Sequence, residues 1–227
     1  MHRSTRVLAI RHGETAWNVE TRIQGQLDIG LNDIGRWQAQ RLAAVLGREE
    51  LSAVYSSDLS RAFDTATIAA EQLGLPVEID EGLRERHFGS FQGLTFKEIE
   101  VRWPEQSERW RKRDPAFAPP GGESLMDFYE RCVGAAQRIA AARPSQAIAL
   151  VAHGGVLDCL YRAATRQTLQ APRTWMVTNA GINRLLHSEQ GFSLVGWADS
   201  SHLDSAELAL DEASDGVVAL DRLGPAA

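Results

Sequence analysis

Three short apolar runs without alternation, Val7 to Ile10, Ala53 to Tyr55 and Ala147 to Ala152, constrain the fold of this chain most. A strand that faces solvent on one side alternates apolar and polar residues. An unbroken apolar run of this length belongs to a strand covered on both faces. Helical segments separate the runs. Asn32 can cap a helix from Asp33 to about Leu46 that buries Ile34, Leu42, Val45 and Leu46. A second is predicted from about Leu59 to Leu73, with Leu59, Ala62, Ala66, Ala70 and Leu73 on one side and Gly74 and Pro76 as its stop. Ser124, with Asp127 at the capping-box position, opens a third, whose stripe is Leu125, Phe128, Tyr129, Cys132, Ala136 and Ile139. A fourth follows from Val156 to about Arg166, and Ile182 to Leu186 and Phe192 to Trp197 read as two strands around a turn at Gln190-Gly191.

Alternation of strand and helix predicts a single α/β domain, a mostly parallel central sheet with helices on both faces. The irregular stretch from Gly82 to Gly122, with short helices around Thr95 to Val101 and Gln106 to Arg111, reads as an inserted cap. The domain is expected over 1–203. The acidic, weakly patterned segment after Asp199 reads as a loosely packed tail, and 204–227 is assigned to it.

A formal net charge of −6 argues against a general nucleic-acid binder. A few arginines focused in a cleft can still bind a small anion. Cys132 and Cys159 both fall on apolar helix stripes and read as core residues, not as a disulfide framework. No stretch approaches the roughly 20 apolar residues of a membrane span, and none resembles a signal peptide, so a cytoplasmic protein with no membrane partner is expected.

Two of the predicted strands end in histidine followed by glycine, at His12-Gly13 and His153-Gly154-Gly155. In a parallel sheet ligands bind beyond the C-terminal ends of the strands, and glycine lets backbone amides approach an anion closely. A strand-end His-Gly alone reads rather as a satisfied structural histidine or a plain turn. Arg11 precedes the first histidine, and Arg61 lies just past the second strand, off the apolar stripe of its helix. An isolated Arg61 would read as a solvated helix face. Guanidinium groups match phosphate bidentately, however, and two arginines with two histidines at neighbouring strand ends make a site for a tetrahedral dianion.

The stretch from Leu8 to Asn18, LAIRHGETAWN, closely resembles the signature of the histidine phosphatase superfamily, the phosphoglycerate mutase-like proteins. Further blocks resemble it in the same order: Leu31 to Gly35 with Gln38-Ala39, Ser56 to Ala62, Leu83-Arg84-Glu85 with Phe88-Gly89 and Gln92-Gly93, Gly122-Glu123-Ser124, and Val151 to Gly155. The resemblance covers roughly residues 5–198. It implies His12 as the nucleophile that becomes phosphohistidine, with Arg11, Arg61 and His153 gripping the phosphoryl group. Asn18 is implied as a polar phosphate contact, and Glu85 as proton donor to the leaving oxygen. Gln24 and Gly25 would line the substrate mouth, and Gly154 would contact the substrate beside His153. On the residues alone, Glu85 reads as a salt-bridge partner of Arg84 or Arg86.

The implied activity is hydrolysis of small phosphomonoesters, needing no metal and no cofactor, with a small phosphorylated metabolite as partner. A homodimer is left open. Phosphoglycerate mutase is the alternative. The cofactor-dependent mutases have a long basic insert after the glutamate and an asparagine two residues after the second histidine, whereas here the insert is short and Gly155 holds that place. A metal-dependent phosphohydrolase and an inactive phosphoprotein-binding module fit less well: no helical histidine pair has ligand spacing, and the whole set of implied catalytic residues is retained. Glu14 reads as structural, His2, His87, His187 and His202 as surface or packing residues. The run Arg109 to Arg113 reads as a solvated face, or else as a wall selecting acidic substrates.

Overall fold

The computed structural model describes residues 4–204. Six strands form one mixed sheet: β1 (Thr5–Arg11), β2 (Ala53–Ser56), β3 (Val77–Ile79), β4 (Ala147–Ala152), β5 (Ile182–Ser188) and β6 (Gly191–Asp199). Their order is β3-β2-β4-β1-β5-β6. The first four are mutually parallel, and β5 and β6 extend the sheet antiparallel at one edge. The expected mostly parallel sheet is therefore present. β4 and the apolar run of β1 are buried at every residue, as unalternating strands between two helical layers must be.

Among the described residues seven α-helices accompany the sheet: α1 (Ala16–Val19), α2 (Asp33–Leu46), α3 (Ser60–Glu71), α4 (Phe96–Arg102), α5 (Pro104–Arg111), α6 (Leu125–Ala141) and α7 (Gly154–Thr165). One face of the sheet packs a core with Cys132 and Ile139 of α6 and Val156 and Cys159 of α7. The other packs Leu42 and Leu46 of α2 against Ala62, Ala66 and Ala70 of α3. Both cysteines are buried free thiols, as expected. The stretch between β3 and α6 builds a third cluster of its own, with Ile23 joined by Phe88, Phe91, Ile99, Trp110 and Phe117.

Asn32 caps α2 through Gly35 N–H (2.8 Å), and Ser124 caps α6 through Asp127 N–H (3.0 Å). Some expectations are corrected. Ile34 is exposed, because it lies one residue into α2 where the first turn clears the sheet; Gly35 and Gln38 take the inner face instead. α1 and β3 were not anticipated: a four-residue helix and a three-residue edge strand carry too little periodicity to read. The chain just after Asp199 is not loose. Ser201–Leu203 form a 3₁₀ turn that buries His202 and Leu203, and Arg41 Nε donates to the His202 carbonyl (3.0 Å). From 205 onward the assigned tail lies outside the described residues. Among the described residues no helix is long and apolar enough to cross a membrane.

Candidate active site

β2, β4 and β1 lie side by side and parallel, so their C-terminal ends converge on one rim of the sheet. His12 follows β1, His153 follows β4 and Ser57 follows β2. Backbone bonds extend the ladder past the strands, from His12 N–H to Ala152 O (2.9 Å) and from Ser57 N–H to Val151 O (3.1 Å). The two imidazoles consequently meet, with ring centroids 5.3 Å apart and planes inclined by 56°. Both rings are fully buried. The turn after His12 is pressed against the start of α2: a Cβ on Gly13 would stand 2.5 Å from the Gly35 carbonyl oxygen, so only glycine fits.

His12 Nδ1 lies 2.7 Å from the Gly13 carbonyl oxygen. A carbonyl can only accept, which puts the proton on Nδ1 and leaves the lone pair on Nε2. That Nε2 is buried and has no hydrogen-bond partner among the described residues. His153 Nε2 shares a hydrogen bond with Ser57 Oγ (2.9 Å).

Arg11 and Arg61 are both buried beside these rings. Arg11 Nη1 donates to Val177 O (2.7 Å), while Arg61 donates from Nη1 to Leu27 O (3.0 Å) and from Nη2 to Gly25 O (2.6 Å). Thr65 Oγ1 ties the two arginine-bearing elements together, accepting from Gly13 N–H (2.9 Å) and donating to Arg61 O (2.7 Å). Burial first, then the charge of Arg61, lowers the pKa of both imidazoles well below 6.5; Arg11 acts in the same direction on each. Both rings are neutral at pH 7.

This burial links folding to pH. Unfolded, the two histidines take protons near pH 6.5; folded, they resist until a lower pH. The unfolded chain then binds more protons, so stability is expected to fall as pH drops below about 6.5. These two rings contribute a slope that approaches about 2.7 kcal/mol per pH unit until they protonate in the folded state, and buried His202, whose pKa burial also lowers, adds in the same direction. Urea melts between pH 7 and 5 measure it, and a flat stability across that window would contradict two buried neutral rings.

Glu85 enters from the third cluster's side. Its Oε1 accepts Arg86 N–H (2.7 Å), and its Oε2 accepts Gly155 N–H (2.9 Å), two residues beyond His153. The salt bridge to Arg84 is not formed, since that guanidinium grips Asp58 through two bonds. Arg86 turns instead to the carbonyls of Glu123 (3.1 Å) and Phe117 (2.7 Å).

The match to the model of the histidine phosphatase superfamily (branch 1) runs over residues 7–200. The chain belongs to that superfamily. Among the relatives of this histidine phosphatase is phosphoglycerate mutase-like protein 4 of Arabidopsis thaliana, 43% identical over 201 residues and covering 87% of this chain and 86% of the relative. Another is the metal-independent phosphoserine phosphatase of the same plant, 40% identical, covering 88% and 84%. The solved structure of mycobacterial glucosyl-3-phosphoglycerate phosphatase in complex with VO3 superposes with a TM-score of 0.75 at 36% identity, over 86% of this chain and 99% of that one.

Other expected positions of the histidine phosphatase fall as follows. Gly25 reaches Arg61 through its carbonyl. Gln24 is fully buried, and neither its Oε1 nor its Nε2 has a hydrogen-bond partner among the described residues. Asn18 Oδ1 accepts from Thr15 N–H (3.0 Å) as the return arm of a capping box on α1, and Asn179 Nδ2 lies 3.4 Å from the same oxygen. Gly154 is buried as the first residue of α7. Glu14 accepts from Asn32 Nδ2 (2.7 Å) and holds the start of α2.

The basic run is a solvated face. Arg109 pairs with Asp114, Arg111 with Glu100 and Lys112 with Glu108, all on exposed side chains. Arg113 differs, reaching Asp158 of α7, which also holds the buried Arg162. His202 belongs to the packing: its Nε2 donates to Ala180 O (3.1 Å), and Ala180 N–H donates to Arg11 O (3.0 Å). The loop through Ala180 therefore braces the site, and Asn179 Nδ2 adds a bond to His12 O (2.9 Å). Nothing in the sequence marks Asn179, nor Arg131, whose Nη2 donates to the Glu85 carbonyl (3.2 Å), because a side chain aimed at a distant carbonyl leaves no periodic mark. Ser57 stood inside a quoted block without a role.

Proposed function

We propose that this chain is a phosphatase that hydrolyses small phosphomonoesters through a phosphohistidine on His12. The observation that carries the reading is His12 Nε2, neutral, buried and left with its lone pair unspent between Arg11, Arg61 and His153. Phosphatase relatives with histidine phosphatase folds support it.

In the first step Nε2 attacks phosphorus while the bond to the ester oxygen breaks. Arg11, Arg61 and the N–H of His153 face the charge on the equatorial oxygens, which is most of what phosphoryl transfer asks of a protein. Asn18, Gln24 and the backbone at Gly25 and Gly154 would complete the contacts. Glu85 gives the leaving alkoxide its proton. In the second step a water attacks the phosphohistidine, Glu85 takes back a proton, and phosphate leaves with His12 restored.

The test is a panel of phosphomonoesters including phosphoserine, glucosyl-3-phosphoglycerate and 3-phosphoglycerate, scored separately for free phosphate and for isomerised product. Free phosphate is the expected product, with strong inhibition by vanadate, which adopts the five-coordinate geometry of the transferring phosphorus. Chelators are expected to leave the rate unchanged. Isomerised product without free phosphate would replace this reading with the mutase.

A further inference from the structure

Helix α7 starts without a cap of its own. The first amides of a helix lack intrahelical partners, and a side-chain oxygen at the preceding residue usually takes one. Here that residue is His153, whose side chain makes no capping bond because it is turned to Ser57. The amide of Gly155 is taken instead by Glu85, a carboxylate brought in from a different element 70 residues away.

Space as well as bonding joins these two residues. A Cβ built on Gly155 would overlap Glu85 Oε1 and stand 3.1 Å from both Glu85 Cδ and Phe128 Cε1. Gly155 sits in ordinary right-handed helix and is not among the residues with positive φ, so its backbone does not demand glycine. The Phe128 ring need give only a few tenths of an ångström, so the overlap that matters is with Glu85. Phe128 is packed in the core, and the main chain at Glu85 is pinned by Arg131 Nη2 (3.2 Å) and Gln26 Nε2 (3.1 Å), both donating to its carbonyl. Arg131 Nη1 adds bonds to the carbonyls of Gly82 and Arg84 (3.0 Å each). The yielding part is the carboxyl group itself, at the end of a flexible side chain.

We infer that Gly155 is a positioning residue for the acid: its missing side chain is the seat of the Glu85 carboxyl, docked on the α7 amide two residues from His153. The inference rests on the reading of Glu85 as proton donor. A side chain at 155 leaves the fold intact and swings the carboxyl out of hydrogen-bond reach of the leaving oxygen, on which proton transfer depends.

The experiment compares Gly155→Ala, Glu85→Gln and the double variant on two esters, phosphoserine and p-nitrophenyl phosphate. Gly134→Ala serves as control, since a Cβ there meets nothing within 4 Å. Nitrophenolate leaves without a proton, whereas the serine alkoxide needs one. Glu85→Gln is expected to lower kcat/KM, which reports only the steps up to departure of the alcohol, by about 10²-fold or more on phosphoserine and hardly at all on the nitrophenyl ester. Gly155→Ala should show the same selectivity in kcat/KM at roughly 10-fold to 100-fold and should add no further loss to Glu85→Gln. Selective loss with Glu85→Gln but wild-type rates, or equal loss on both esters, with Gly155→Ala overturns the inference alone. Equal losses on both esters with Glu85→Gln remove the acid reading, and the inference goes with it. Should Gly155→Ala not fold, Gly155→Ala/Glu85→Ala must recover the fold; if it does not, the clash is not with the carboxyl and the inference fails.

Discussion

Replacing His12 with alanine is expected to lower the rate of phosphate release by on the order of 10⁴-fold or more, because the nitrogen that attacks phosphorus is removed. The fold should survive. The His12 backbone is held by Ala152, Asn179 and Ala180, and its ring makes one hydrogen bond, to the neighbouring Gly13 carbonyl. Two measurements separate nucleophile from scaffold. Acid-labile, alkali-stable phosphate should be trapped on the wild-type chain during turnover and be absent from the variant. The pH dependence of stability should weaken by about 1.4 kcal/mol per unit, since one of the two site imidazoles that resist protonation is gone. Substantial residual turnover in a folded His12→Ala chain would end the phosphohistidine mechanism.

The sequence shows His12 readily because function at this position breaks local rules. An apolar strand that runs without alternation and then stops at Arg-His-Gly places polar groups at the one rim where a parallel sheet leaves room for a ligand. The same argument locates His153, and helices long enough for crossovers fit the parallel arrangement of β1 to β4. Arg61 was harder. It lies on the first turn of α3, and only the company of two histidines and Arg11 distinguished it from an ordinary surface arginine, yet it is fully buried. Glu85 could not be placed by residue chemistry. Two arginines flank it, and the one that might have neutralised it, Arg84, is taken by Asp58 across the rim. Its partner at Gly155 is a backbone amide, and backbone amides have no sequence signature. The braces at Arg131, Thr65 and Asn179 were illegible for the same reason: each reaches a main-chain group that becomes a neighbour only after the sheet has formed. Edge strand β3 and short α1 escaped because local propensity over three or four residues is too weak to decide.

Arg61 is the residue for which charge and shape can be pulled apart, with a loss of about 10³-fold in kcat/KM expected for Arg61→Ala. Its guanidinium lies between the loop carbonyls of Gly25 and Leu27 and the two imidazoles, and it is the largest charge holding both rings neutral. Removing it should act twice. The equatorial oxygens lose a cation, and the pKa of His12 rises because a repelling charge has gone, so the acid limb of the pH–rate profile moves to higher pH. The freed carbonyls also cost stability, about 1–3 kcal/mol for each left unpaired. Arg61→Lys keeps the charge but not the planar fork that spans two carbonyls and a phosphoryl group. Its activity should fall by at least about 10²-fold while the acid limb stays at its wild-type position. If the lysine variant instead works at nearly the wild-type rate, a point charge suffices and bidentate geometry contributes little. If the alanine variant leaves the acid limb unmoved, burial and Arg11 suffice to keep His12 neutral, and Arg61 is reduced to a clamp on the phosphoryl group.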